Sequence, residues 1–279
     1  MTNGLANRPP QDRTIAVTGS SSGIGAAVSD QLRLAGYRVI GVGRRDADVV
    51  ADLGTPEGRE HAIAEITRLS EGRLSGFLPC AGLAAANERP GALLVSVNYF
   101  GAITLLEGLR PALEAAGNAS VILMSSNAAV TQPGWPVELA EACLAGDEQK
   151  AREIADSFAE LGPVHAYPAT KAALAWYART RSAEYVRAGI RLNAIAPGII
   201  DTPMTEQCIQ DVLVGAGVRA FLAATPAGRA GKPEEIAALV SFLLSDQAAY
   251  FIGSVVFCDG GTDALARGKD WPAVLPLPS

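Results

Sequence analysis

Four cysteines stand in 279 residues, at positions 80, 143, 208 and 258, and none forms a CxxC pair. That spacing argues against a zinc site and against a disulfide framework, and it reads as reduced thiols in a cytoplasm. Basic excess is also missing. Lysine and arginine number 23 against 29 aspartates and glutamates, a net charge of −6, which disfavours a general nucleic-acid binder needing a basic face. No uninterrupted apolar run approaches the ~20 residues that span a bilayer, and Ala237–Leu244 reads as a buried helix. The first thirteen residues are polar, carry two prolines and lack the apolar stretch of a signal peptide. Only two histidines occur: His61 on a surface helix and His165 two residues before Tyr167.

What is present is a core. Hydrophobic residues make up 49% of the chain and charged residues 19%, which excludes wholesale disorder. Thr14–Thr18 (TIAVT) is a short β-branched run of the kind found in buried parallel strands. Gly23–Ala35 follows with Ile24, Val28, Leu32 and Ala35 on one helical face. Strands at Tyr37–Val42, Val49–Ala51, Gly76–Cys80, Ser120–Met124, Arg191–Ala196 and Ser254–Cys258 are expected. They alternate with helices at Pro56–Leu69, Val97–Ala116, Pro168–Ala188 and Pro233–Leu244. Strict alternation predicts an α/β fold, a single-domain doubly wound parallel sheet of Rossmann-like type. Residues 1–12 and 266–279 are expected as tails around a domain of residues 13–265. Two segments break the alternation: a helical insertion at 128–166, before Tyr167, and a lid at 199–232. In the insertion, Ala151, Ile154, Ala155, Phe158 and Leu161 fall on one helical face behind a capping Asp147. Trp135, Leu139 and Leu144 are placed either in a substrate pocket or in the insertion's own core. Both segments leave the carboxyl edge of the sheet, where open α/β sheets bind ligands.

The first strand runs straight into Gly19-Ser20-Ser21-Ser22-Gly23-Ile24-Gly25 and a helix. Glycines there let a pyrophosphate approach the backbone, and the helix N-terminus offers free N–H groups. The spacing is GxxxGxG, and with Thr18 it resembles the TGxxxGxG turn of the short-chain dehydrogenase/reductase family. Further segments resemble that family in order: Cys80-Ala81-Gly82, with Cys for the usual Asn; Val97–Gly101 around Asn98; Ile122–Ser126; Tyr167-Pro168-Ala169-Thr170-Lys171; Pro197–Thr202; Gly228–Ala237; and Asp259-Gly260-Gly261. Within the family the chain resembles the bacterial 3α-hydroxysteroid dehydrogenase/carbonyl reductase group, through Asp46–Leu53, Ser96–Ala102 and the long insertion.

The resemblance implies a catalytic group of Asn98, Ser126, Tyr167 and Lys171. Tyr167 and Lys171 are four apart, on one helical face. A neighbouring ammonium is expected to lower the phenol's pKa from about 10, so that Tyr167 exchanges a proton with the substrate oxygen. Ser126, preferred to Ser125, would hold that oxygen. A dinucleotide is expected on Gly19, Ser21, Ser22, Gly23, Ile24, Cys80, Ala81, Gly82, Pro197, Gly198, Ile200 and Thr202, with Tyr167 and Lys171 at its ribose. Asp52 and Leu53 would edge the adenine. Gly43 stands where relatives have an acid and is followed by Arg44, which suits a 2′-phosphate. NADP(H) is therefore expected ahead of NAD(H), with no metal.

The implied activity is hydride transfer between the cofactor and a secondary alcohol or ketone. Two apolar segments beside the site suggest a hydrophobic cyclic substrate of steroid or terpenoid type. Two other readings stay open: a catalytically idle dinucleotide-binding regulator, and a 3-ketoacyl thioester reductase, which the acidic insertion makes less attractive. Family members associate through two long helices or through the last helix and strand. The insertion would obstruct the first surface, so a homodimer through Pro233–Cys258 is expected rather than a tetramer. No nucleic-acid or membrane partner is expected.

Overall fold

A computed structural model describes residues 10–273. The chain runs β1 (Thr14–Thr18), α1 (Gly23–Leu34), β2 (Arg38–Gly43), β3 (Val49–Val50), α2 (Pro56–Leu69), β4 (Gly76–Pro79), α3 (Gly91–Leu94), α4 (Gly101–Ala116) and β5 (Ala119–Met124). Then come α5 (Ala128–Thr131), α6 (Val137–Leu144), α7 (Glu148–Asp156), α8 (Gly162–Arg187), β6 (Ile190–Pro197), α9 (Pro203–Gln210), α10 (Gly215–Ala224), α11 (Pro233–Leu244), β7 (Val255–Cys258) and α12 (Thr262–Arg267). Seven parallel strands form one sheet in the order β3-β2-β1-β4-β5-β6-β7. Every residue of β5 and β6 is buried, as expected of parallel strands covered on both faces. Helices α1 and α11 close one face over Val28, Leu32, Ile236 and Val240. Helices α2, α4 and α8 close the other over Ile66, Leu105 and Leu174. Strand order reverses between β1 and β4, which opens a crevice at the carboxyl edge.

Three boundaries differ from expectation. Helix α8 starts at Gly162, six residues early, and carries Pro168 inside it. The helix before β5 begins at Gly91 and passes through a π-helical stretch, Val95–Phe100, before α4. This run, Gly91–Ala116, is 26 residues, and its most apolar 18-residue window has a mean hydropathy of 1.5. By length and composition it is apolar enough to cross a bilayer, which corrects the expectation that nothing here is; 67% of its apolar window is buried inside the fold. Finally, the segment expected as a C-terminal tail is in part structured. The Arg267 guanidinium lies 5.0 Å from the ring centroids of both Phe257 and Trp271. Residues 1–9 and 274–279, where the remainder of the two expected tails falls, lie outside the described residues.

The insertion folds as α5, α6 and α7. Asp147 accepts a hydrogen bond from the Lys150 amide and caps α7 as anticipated. The single apolar face does not hold: α7 stops at Asp156, Ala151 and Ala155 are buried, and Leu161 is exposed. A bidentate pair from Arg59 of α2 to Glu148, at 2.8 and 2.7 Å, pins α7 down. Leu139 is fully buried, and Trp135 packs 5.9 Å from Trp176. These side chains are core of the insertion, and neither borders the cavities described below.

Candidate active site

The glycine turn follows from local sterics. Gly19 and Gly23 both take positive φ, +68° and +52°, which side chains with a Cβ resist. A Cβ on Gly19 would lie 2.9 Å from the Ala81 backbone, and one on Gly25 would strike the Gly19 carbonyl oxygen. The turn therefore packs against both the β4 exit and α1. Ser22 begins α1 without a side-chain cap, so first-turn N–H groups are left for an anion. Thr18 Oγ1 accepts from the Ala81 amide at 2.9 Å and ties the ends of β1 and β4 together.

A cavity of about 180 Å³ opens on this turn. Of the residues expected at the dinucleotide, Gly19, Ser22, Gly23, Ile24, Cys80, Ala81, Gly82, Pro197, Gly198, Ile200 and Thr202 border it, together with Tyr167 and Lys171. Ser21, Gly43, Arg44, Asp52 and Leu53 do not. Ser21 Oγ lies 3.7 Å from where a Gly43 Cβ would stand, so these two adjoin. Arg44 is exposed beyond Gly43 and forms no ion pair among the described residues. Asp52 Oδ1 accepts from the Gly54 amide, and Leu53 is buried in the core. The glycine cradle, uncapped helix end and bordering hydroxyls suit a dinucleotide's pyrophosphate and ribose.

Strand β5 and helix α8 deliver the reacting groups. Ser125 spends its hydroxyl on the Lys171 carbonyl at 2.7 Å, whereas Ser126 Oγ accepts from the Ala128 amide at 3.2 Å and keeps its proton free for a partner. Ser126 and Tyr167 both border the first cavity and a second one. Lys171 is buried; its Nζ donates to the Met124 carbonyl at 2.8 Å and lies 5.7 Å from the Tyr167 ring centroid. Asn98 sits in the π-helical stretch. Its amide both accepts from the Leu83 N–H and donates to the Leu83 carbonyl, at 2.7 and 2.9 Å, and so clamps the loop after β4. It does not border the cavity.

The expected acidification of the phenol is corrected. Burial pushes Tyr167 above its ordinary value, and contact with Ser126 only partly opposes this. Burial likewise pushes Lys171 down to about 8. Desolvation disfavours both charged forms, and the ammonium is turned toward the Met124 carbonyl.

The second cavity, about 510 Å³, lies on the far side of Ser126 and Tyr167. The lid contributes Met204, Cys208, Leu213, Val214, Val218 and Phe221; α5, the residue that ends it and α8 contribute Ala128, Gln132 and Val164. Leu213, Val214 and Phe221 fall within the expected lid segment and line the cavity, whereas the neighbouring Val212 is 86% exposed and does not. Gln132 and Val164 carried no signal by residue type. His165 stacks on Phe158 at 4.3 Å and borders neither cavity.

Family models match this chain twice: short chain dehydrogenase over residues 13–137, and enoyl-(acyl carrier protein) reductase over residues 159–263. A 3-alpha-hydroxysteroid dehydrogenase/carbonyl reductase from Comamonas testosteroni is 39% identical over 91% of this chain and 97% of its own length. The chain belongs to the short-chain dehydrogenase/reductase family. The structure of the 3-alpha-hydroxysteroid dehydrogenase from Pseudomonas sp. B-0831, complexed with NADH, is similar with a TM-score of 0.86 and 42% identity. It covers 92% of this chain and 99% of that one. A Beutenbergia cavernae structure described as that of an NAD(P)-dependent gluconate 5-dehydrogenase, assigned by inference and holding NADP at low occupancy, gives a TM-score of 0.70 at 28% identity, over 90% and 97% of the two chains. As a short-chain dehydrogenase/reductase, the protein is an NAD(P)-dependent oxidoreductase acting on CH–OH groups.

Proposed function

We propose that this enzyme interconverts a secondary alcohol and its ketone on a hydrophobic cyclic molecule of steroid or terpenoid type, using NADP(H) ahead of NAD(H). The observation that carries the reading is the junction of the two cavities. The polar one at the glycine turn and the apolar one under the lid share Ser126, Tyr167, Gly198, Met204 and Thr205. A substrate oxygen at that junction meets both hydroxyls while its carbon skeleton lies among Val214, Val218 and Phe221.

In this reading, a dinucleotide held at Gly19–Ile24, Ala81, Gly198 and Thr202 supplies or accepts the hydride. Tyr167 gives its phenolic proton to the carbonyl oxygen during reduction and takes it back during oxidation. A phenol held above its ordinary pKa starts protonated at neutral pH, which suits the reductive role. Ser126 donates to the same oxygen and fixes it within reach of the phenol. Lys171, pushed down to about 8 and so largely protonated near neutrality, stabilises the developing phenolate through its charge. Asn98 keeps the Gly82–Leu83 loop against the cavity.

The cofactor preference rests on Gly43 and Arg44. A side chain on Gly43 would crowd the Arg45 carbonyl at 3.3 Å, and the exposed Arg44 forms no ion pair among the described residues, which leaves it available to a 2′-phosphate. The assay follows nicotinamide absorbance with cyclic ketones and alcohols, each with both cofactors. Turnover of apolar cyclic ketones with NADPH supports the reading. Retained cofactor binding without turnover of any of them overturns it.

The assembly we propose is a homodimer through α11 and β7. Strand β7 is an edge strand, Tyr250 is 99% exposed, and Phe242 and Ile252 are each 37% exposed beside it. The insertion lies over α3 and α8, on the alternative surface. Light scattering should give a dimer; a tetramer would contradict it.

A further inference from the structure

The substrate cavity is apolar apart from a few groups, and most of those are already committed. Thr131 Oγ1 donates to the Asn127 carbonyl at 2.9 Å, and Thr205 Oγ1 donates to the Ile200 carbonyl at 2.6 Å. The Asn127 amide nitrogen donates to Asp259 at 3.3 Å. Ser126 and Tyr167 serve the reacting oxygen. Two side-chain amide oxygens remain without a donor among the described residues: Asn127 Oδ1, on a buried residue next to Ser126, and Gln132 Oε1, on a half-buried residue beyond α5.

Gln132 Nε2 donates to the Val164 carbonyl at 2.9 Å, and among the described residues its side chain forms no other hydrogen bond. The reason lies in the helix that carries Tyr167. In α8 the carbonyl of Val164 would normally accept from the amide four residues on. That residue is Pro168, which has no N–H. The orphaned carbonyl is satisfied by Gln132 instead. A carbonyl only accepts, so the nitrogen must face it, and this fixes which way the amide points. Oε1 is left as an acceptor without a protein donor, on a side chain that borders the cavity. The short helix α5 separates Ser126 from Gln132. At about 1.5 Å per residue this sets them roughly 9 Å apart along the wall.

We propose that Gln132 is a specificity-determining residue: its Oε1 accepts a hydrogen bond from a hydroxyl borne by the apolar substrate at the end remote from the reacting carbon. The inference rests on the carbonyl-reductase reading above and sharpens its substrate class to hydroxylated, multi-ring ketones or alcohols. Because its anchor exists only where Pro168 removes a donor, the amide is tied to the same helix as Tyr167. Distance between the two recognised oxygens is thereby set by one rigid element.

The test uses three ketones on one fused-ring skeleton, differing only at the far end: hydrogen, carbonyl or hydroxyl. They are compared with the wild-type enzyme and with Gln132→Leu and Gln132→Met, the second keeping an unbranched side chain. Wild type should favour the hydroxyl compound in kcat/KM by about tenfold, the order expected for one buried hydrogen bond. Both variants also remove the donor to the Val164 carbonyl, so a common loss on all three ketones is expected through α8; beyond it the hydroxyl compound should lose about a further tenfold, chiefly through KM, which erases the preference. Cofactor Kd, measured by fluorescence, should not move. Equal kcat/KM for the three ketones in wild type, or an equal loss on all three in the variants, overturns the inference and leaves the carbonyl-reductase reading standing. Failure of wild type to reduce any of them, with cofactor bound, overturns both.

Discussion

The two walls of the site are built on different principles. The cofactor wall is made from strand ends and the turns after them: Gly19, Ala81 and Pro197 are fixed by a buried parallel sheet. Its fit depends on missing atoms, since a Cβ at Gly19 or Gly198 would strike backbone 2.9 or 2.8 Å away. The substrate wall is made from α5, α9 and α10, short helices outside the sheet, and apart from a few polar groups such as Gln132 its side chains are interchangeable hydrophobes. The first wall tolerates almost no substitution and so carries a motif. Gln132 apart, the second needs only volume and apolarity, so its side chains can change while the chemistry stays the same. Tyr167 and Ser126 stand where the walls meet, so changes there should have the greatest effect. Tyr167→Phe should lower kcat by about 10²–10⁴, the usual contribution of a positioned acid or base, while cofactor Kd changes less than about twofold. A loss of cofactor affinity matching the loss in kcat would mean the junction belongs to the binding wall alone.

A pH titration sharpens the same boundary. Lys171, pushed down to about 8 by burial, is charged below that pH and neutral above it. If its charge assists Tyr167, kcat/KM for reduction, which reports the free enzyme, is level below about pH 8. Above that it falls by up to tenfold per unit. Stability should move the other way. The unfolded lysine keeps its ordinary value near 10.5, so between about 8 and 10.5 the unfolded chain binds more protons and this group's contribution to stability rises with pH. Lys171→Met should abolish both trends. A kcat/KM profile flat to pH 10 would remove Lys171 from proton handling.

Much of the first wall was legible in the chain because stereochemistry leaves no choice there. GxxxGxG after a β-branched strand specifies a tight turn into a helix, and YxxxK places two side chains on one face. The sheet was legible for the same reason: ASVILM is buried along its length. What was not legible depends on burial or on tertiary partners. The ammonium was expected to acidify the phenol, a judgement that assumed proximity and ignored desolvation. The early start of α8 was hidden because Pro168 reads locally as a helix start, and only the Gln132 contact makes it a tolerated interior position. Whether Trp135 and Leu139 faced a ligand or one another required Trp176, distant in sequence.

At the outer edge of the cofactor wall the expected effects are smaller, because the groups are exposed. Arg44→Ala should reduce the ratio of kcat/KM for NADPH over NADH by about tenfold, near the low end for a charge-assisted hydrogen bond. Gly43→Asp should act in the same direction by repelling a 2′-phosphate. A ratio unchanged in Arg44→Ala would leave the choice of cofactor to Gly43 and Ser21.

On the substrate wall the smallest change is expected from the lid. Phe221 lies on α10, and its removal leaves neighbours such as Leu213 and Val218 still lining the cavity. In a closed core a Phe→Ala change costs about 3–5 kcal/mol, but this face is open enough that water or a shifted neighbour fills the space. Phe221→Ala should therefore raise KM for an apolar cyclic ketone about three- to tenfold, leave kcat within about twofold, and barely move the melting temperature. If instead kcat falls with KM unchanged, α10 contributes to closing over the reacting atoms rather than to holding the skeleton. The division between a chemistry wall and a volume wall would then have to be redrawn through the lid.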